Sequence, residues 1–154
     1  MIRAHGATRT SLSCGRVATP PVRSSRRPCV PAPVFEYAIV RVIPRVERGE
    51  FVNAGVILYC ATEAFLACEL GLEVERLRAL DRRVDPTLVQ CHLAAFAAVC
   101  RGDAGAGPIA ALPQRERYHW LVAPRSSVIQ VSAVHGGCGD PAAALARVFA
   151  TCVR

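Results

Sequence analysis

The stretch from Glu116 to His135, ERYHWLVAPRSSVIQVSAVH, gathers Glu116, Arg117, His119, Arg125, Ser126, Ser127, Gln130 and His135. Two histidines can act as general acid and base near neutral pH, and an arginine can hold a phosphate or carboxylate through paired N–H bonds. A serine becomes a nucleophile when a histidine approaches it. These residue types describe a small hydrolase or transferase with His119 or His135, and Glu116, as catalytic candidates and Arg125 as anion clamp. The same residues also fit a plainer description. On a strand, His119 shares a face with Arg117 and Leu121, as a partly buried, hydrogen-bonded histidine would. The plainer description is favoured, and with it a chain that is not an enzyme.

A second polar group lies between two apolar runs: Arg45, Glu47, Arg48 and Glu50 in the segment RVERGE, with Arg41 and Asn53 inside the flanking runs. A buried arginine needs a partner. Glu69 or Glu36 would supply it as a structural ion pair, the favoured reading, whereas an open Arg41 beside Asn53 would mark an anion or peptide site. The eight cysteines contain no CxxC pair, so no zinc site is expected, and most fall in apolar stretches where a thiol packs as a small hydrophobe. Gly105, Gly107 and Ala110 form only a degenerate GxGxxA with no strand leading into it, so the glycines there are read as turn formers and no cofactor is expected.

Composition removes several classes. All 19 basic side chains are arginine; without lysine there is no Schiff-base chemistry and no Walker-type phosphate loop. No uncharged apolar run reaches the roughly 18 residues a membrane-spanning helix needs. The net charge of +7 suggests nucleic acid, but Arg3, Arg9, Arg16, Arg23, Arg26 and Arg27 all precede the first acid, Glu36. Residues 1–34 therefore carry +6, and from residue 35 onward 13 arginines oppose 12 carboxylates. Nucleic-acid binding would rest on the Arg-rich tail alone, and the nearly neutral remainder makes it the least favoured of three readings. The tail has no apolar periodicity and is read as disordered, or as a mis-assigned leader with translation starting at Val30 or Val34; an Arg-rich, acid-poor transit peptide is the third description.

The elements that must position these residues are legible from pattern. Three apolar runs, residues 36–43, 51–60 and 64–70, read as strands joined by short connections and hence antiparallel. Asn53 and Gly55 interrupt the second, where a bulge or a close backbone approach is expected. A short amphipathic helix covers residues 73–80. Asp85 and Pro86 then open a longer one whose Val89, Leu93, Phe96 and Cys100 form a stripe that ends at Gly102. Residues 118–123 and 127–131 read as a hairpin around Pro124 and Arg125. After a glycine-marked turn, Asp140 and Pro141 open a last helix with Leu145, Val148, Phe149 and Cys152 on one side. The sum is an α+β domain over 35–154: an antiparallel sheet of about five strands, helices mainly on one face, a disordered tail before it. A sheet edge leaves a homodimer open.

The blocks FEYAIVRVIPRVERGEFVNAGVILYC and ERYHWLVAPRSSVIQ, with GDAGAGPIAAL and HGGCGDP, resemble a bacterial family catalogued as domain of unknown function 3037, over residues 35–153. The resemblance implies a small cytoplasmic protein with a HipA-like serine/threonine kinase as its partner. It points to Arg45, Glu47, Arg48, Gly49, Glu50, Asn53 and Gly55 in the first block and to Glu116, His119, Trp120, Pro124, Arg125, Ser126 and Gln130 in the second. The expected function is a non-catalytic interaction or regulatory module that binds through Arg125, Ser126, Gln130, Arg45, Arg48, Glu50 and Asn53.

Overall fold

The structure, a computed structural model, describes residues 32–154; the readings of the tail lie outside the described residues. Strands β1 (Val34–Val42), β2 (Val52–Cys60) and β3 (Phe65–Leu70) form an antiparallel meander. Helices α1 (Val74–Leu80), α2 (Pro86–Arg101) and α3 (Gln114–Val122) follow, then β4 (Ile129–Val131), β5 (His135–Cys138) and α4 (Pro141–Cys152). The sheet runs β3-β2-β1, and β4 and β5 share the free edge of β1, both antiparallel to it. This is a five-stranded antiparallel α+β architecture, as the sequence predicts, with four of the five strands at apolar runs read as strands.

Two irregularities shape the sheet. The β1–β2 register shifts between Val40 and Arg41, so Val40 faces Gly55 while Arg41 faces Asn53. The extra residue, Ala54, flips the alternation, and Ala54 and Ile57 both reach the same core; this is the bend that Asn53 and Gly55 announce. A Cβ on Gly55 would lie 2.6 Å from the Glu69 carbonyl oxygen and closer still to Leu70, so only glycine lets β3 approach. On the other edge, the step from Val40 to Tyr37 is matched by the longer step from Val131 to His135. Ser132 fills the gap: its N–H donates to the Ile39 carbonyl and its hydroxyl accepts from the Ile39 N–H, both at 2.9 Å. A side-chain oxygen thus replaces the missing backbone acceptor, which keeps the ladder hydrogen-bonded across the slip.

The faces of the sheet carry separate cores. On one, Ala38, Val40, Val42, Ala54 and Ile57 pack against Leu77 of α1, the Val89–Leu93–Phe96–Cys100 stripe of α2, and Tyr118 and Leu121 of α3. On the other, α4 packs Ala144, Leu145 and Phe149 onto Phe35, Val56, Leu58 and Cys60. Both long helices start as the sequence predicts: the Asp85 carboxylate accepts from Thr87 N–H at 2.8 Å and Asp140 from Ala142 N–H at 3.0 Å, each followed by proline. Gly102 ends α2 with φ +80°, a left-handed cap.

One predicted element is wrong and one is missing from the prediction. Residues 118–123 are not a strand; Tyr118 to Val122 lie in α3 and Ala123 caps it, and the helix, which starts after Pro113, buries Tyr118 and Leu121, three residues apart, against α2 and the sheet. The run YHWLVA favours a strand by residue type, but its two buried side chains follow the helical period, and packing overrides propensity. There is accordingly no hairpin around Pro124 and Arg125, and β4 pairs with β1 instead. The unpredicted strand is β5: the pair Gly136–Gly137, read as a turn, lies opposite Glu36 and Phe35. A Cβ on Gly137 would sit 2.5 Å from the Phe35 ring, so the glycine makes room for an aromatic neighbour.

Candidate binding site

Where α2, α3 and the segment 125–131 meet, a cleft of about 570 Å³ stays open. The buried stripe of α2 faces the sheet, and the positions beside it, His92, Ala95 and Val99, with the edge of Phe96, form one wall. Trp120 and Leu121 form the second wall, Val128 to Val131 the third, and Val46 from the β1–β2 turn closes an end. The cleft exists because Pro124 prevents α3 from continuing, after which the chain runs along the rim and rejoins the sheet only at β4. The floor is apolar; the polar groups, His92, Arg125, Ser126, Ser127 and Gln130, come from α2 and the rim.

The rim is tied to itself. Arg125 folds back over α3, donating from Nη2 to the Trp120 carbonyl and from Nε to the Ala123 carbonyl at 3.4 Å. Its Cζ lies 4.4 Å from the centre of the Trp120 ring. A cation therefore meets the negative end of the helix and an aromatic face together. Ser127 Oγ donates to the Ile129 carbonyl at 2.7 Å, and Gln130 Nε2 donates to the Ser127 carbonyl at 2.9 Å. Trp120, the chain's single tryptophan, remains 41% exposed.

The catalytic candidates do not assemble. His119 is exposed on α3, where its Nε2 accepts from Arg115 Nε at 3.4 Å, and Glu116 is exposed in the first turn of the same helix. His135 packs tilted against Tyr37, its partner in the ladder, with ring centres 5.2 Å apart. Tyr37 packs against the α4 core and α3 against the opposite one, so the sheet separates the two imidazoles. Arg117 is structural: its Nη1 donates at 2.8 Å to the Leu112 carbonyl after a single 3-10 turn, Pro108–Ala111.

The first block divides likewise. Arg45 Nε donates to Asp81 Oδ2 at 3.1 Å, and Oδ1 of the same carboxylate accepts from Arg83 N–H at 2.9 Å. The Arg83 N–H first, and the Arg45 guanidinium second, hold the Asp81 carboxyl below the usual carboxylate range. This anchors the turn that carries Val46. Arg48 and Glu50 form an exposed pair at 2.9 Å, a geometry that contributes little. Asn53 Nδ2 donates to the Cys152 carbonyl at 3.0 Å, tying β2 to the end of α4. The favoured ion pair of Arg41 is absent among the described residues. Its guanidinium lies over the Phe51 ring at 4.2 Å, with Nε buried and unpartnered. Glu36 alternates to the other face, and Glu69 lies opposite Val56, a strand away.

Of the binding residues predicted, Arg125, Ser126 and Gln130 line the cleft; Arg45, Arg48, Glu50 and Asn53 do not. Val46 and His92 line it without having been singled out. The signal for His92 is its spacing to Ala95, Phe96 and Val99, which places it at the edge of the α2 stripe. Among the described residues, no three His, Cys, Asp or Glu side chains are gathered as metal ligands would be, and no helix is long and apolar enough to cross a membrane.

A family model described as protein of unknown function (DUF3037) matches residues 37–153. The chain belongs to that family. The match takes in all three walls of the cleft, its rim and the turn that bears Val46. No curated protein and no solved structure matches the chain.

Proposed function

We propose that this member of the family is a non-catalytic interaction module and that the cleft between α2, α3 and β4 receives an apolar segment of a protein partner. The observation that carries the proposal is convergence. Val46 from the β1–β2 turn and Arg125 to Gln130 from the second block, far apart in sequence, border one apolar hollow. A half-exposed tryptophan stacked with arginine at its mouth has the composition of an interface anchor. A HipA-like kinase is the partner the family resemblance supplies. The test is calorimetric titration of the full chain with the HipA-like kinase of the same host. Trp120→Ala or Val46→Asp should weaken association roughly thirtyfold, equivalent to about 2 kcal/mol, while Arg115→Ala, outside the cleft, leaves it unchanged. No association, or equal association of all variants, would remove the proposal.

A second reading has its own support. The cleft falls within the size range of small-molecule sites, with an apolar floor and a few convergent polar groups. An amphiphile of moderate size would place its polar head by His92 and Ser126. Ligand-induced stabilisation by such compounds, lost in Leu121→Arg, would favour it over the protein partner.

A further inference from the structure

The two edges of the sheet are unlike. On the side of β4 and β5 the edge is broken into strands of three and four residues, the second holding Gly136 and Gly137. β3 forms the opposite edge, six residues long, with no proline, glycine or basic side chain. Natural sheets blunt an edge with short strands, charges or proline, because its unpaired N–H and C=O groups invite another strand. One edge here is blunted and the other is not.

Which groups of β3 face outward follows from one hydrogen bond. Ala54 and Gly71 continue the β2–β3 register, and the Gly71 N–H donates to the Ala54 carbonyl at 2.8 Å. In an antiparallel ladder, opposite residues alternate between pairs that exchange hydrogen bonds and pairs that do not. Residues 65, 67, 69 and 71 therefore point their backbone groups at β2, and Leu66, Cys68 and Leu70 point theirs out of the sheet. These outward groups have no backbone partner among the described residues. The side chains of the same three residues pack on the core under α2, and Phe65 and Ala67 on the core under α4. The bare backbone edge thus runs between two layers of helix.

We propose that β3 is a homodimer interface, at which a second copy of the chain adds its own β3 antiparallel to the first about a two-fold axis at Cys68. The argument for a second copy is self-complementarity. A two-fold axis perpendicular to the joined sheets keeps equivalent faces together, so it passes through a residue and pairs positions that share a face. Centred on Cys68, it sets Cys68 opposite itself and each Leu66 opposite a Leu70, and these three pairs exchange hydrogen bonds through every outward group of the strand. Moved one residue either way, the axis leaves Leu70 or Leu66 opposite a residue outside β3. On the α4 side the same register places Glu69 opposite Ala67 and Phe65 opposite Gly71. No like charges meet, and each large side chain faces a small one. The cleft opens on the β4 side of α2, so Ala94 and Ala97, on the other flank of that helix, turn toward β3 and leave room for the helix of the second copy. The cleft itself stays open, since it lies at the other end of the sheet.

The test is sedimentation equilibrium of the full chain, reduced, across micromolar concentrations, with residue-resolved amide hydrogen exchange on the same samples. The expected result is a reversible dimer in which the Leu66, Cys68 and Leu70 N–H groups exchange as slowly as those of Phe65, Ala67 and Glu69, and roughly tenfold or more faster on dilution to the monomer. Cys68→Pro removes an outward donor and no bond to β2, so it should keep the fold and raise the dimer dissociation constant roughly tenfold or more. Should that variant not fold, the exchange pattern of the native chain decides. A chain that stays monomeric, a dimer whose three outward N–H groups exchange fast, or an unweakened Cys68→Pro dimer would overturn the proposal. So would slow exchange of the three groups in a monomer, the result expected if residues 1–31 of the same chain lay along β3.

Discussion

The two faces of the sheet solve the same problem differently. On the α4 face one helix seals a small core, and the contacts are tight enough that glycine is required: a Cβ on Gly71 would stand 3.0 Å from the Phe149 ring, and one on Gly137 still nearer to Phe35. On the opposite face three helices cover a larger core, yet α3 stops at Val122 and the returning segment leaves an open cleft with half-exposed Trp120 at its rim. A closed face contributes stability alone. A face that spends apolar residues on an unfilled hollow gives up part of that contribution, and the hollow is where recognition is to be sought.

Substitutions can break or sharpen this contrast. The largest effect is expected from Phe149→Ala, about 3–5 kcal/mol in chemical denaturation, because it opens a void under α4, the helix that covers this face among the described residues. Phe96→Ala removes an equal ring from a site already bordering the cleft, so it should be milder by about 1 kcal/mol or more; equal losses would mean that the two faces are sealed alike. Gly137→Ala should destabilise by about 1–3 kcal/mol through the clash with Phe35. Trp120→Ala should stay within about 0.5 kcal/mol of the native stability while removing partner binding, and a large loss would make the tryptophan a structural residue.

The smallest effect concerns pH. The carboxyl of Asp81 is held low in the folded chain, so its contribution is present above the ordinary carboxylate pKa of about 4 and fades as pH falls through the lower folded value. Acid titration should therefore loosen the turn carrying Val46, seen as a chemical-shift change at Arg45 that Asp81→Asn removes.

Much of the architecture could be read without coordinates because it depends on local chemistry. Asp85–Pro86 and Asp140–Pro141 carry a cap and a fixed φ within two residues, and the apolar runs of β1, β2 and β3 are short and bounded by turn or polar residues, as buried strands are. The bulge beside Gly55 was legible for the same reason. The candidate site was only half legible. Arg125, Ser126 and Gln130 were singled out for their types, but the hairpin imagined for them would have joined them to His119, which lies outside the cleft.

Sequence by itself determined the caps, the strands of the meander, the two apolar helix stripes and the neutral balance of charge from residue 35 onward. Each follows from neighbours a few positions apart. Only the tertiary structure decided that YHWLVA is helical, that Gly136 and Gly137 extend a strand, that Arg41 rests on Phe51 in place of a carboxylate, and that Val46 and His92 meet Arg125 around one cleft. Those outcomes depend on side chains brought together across the sheet, where packing and ladder hydrogen bonds outweigh the few tenths of a kcal/mol to about 1 kcal/mol by which residue types prefer helix or strand.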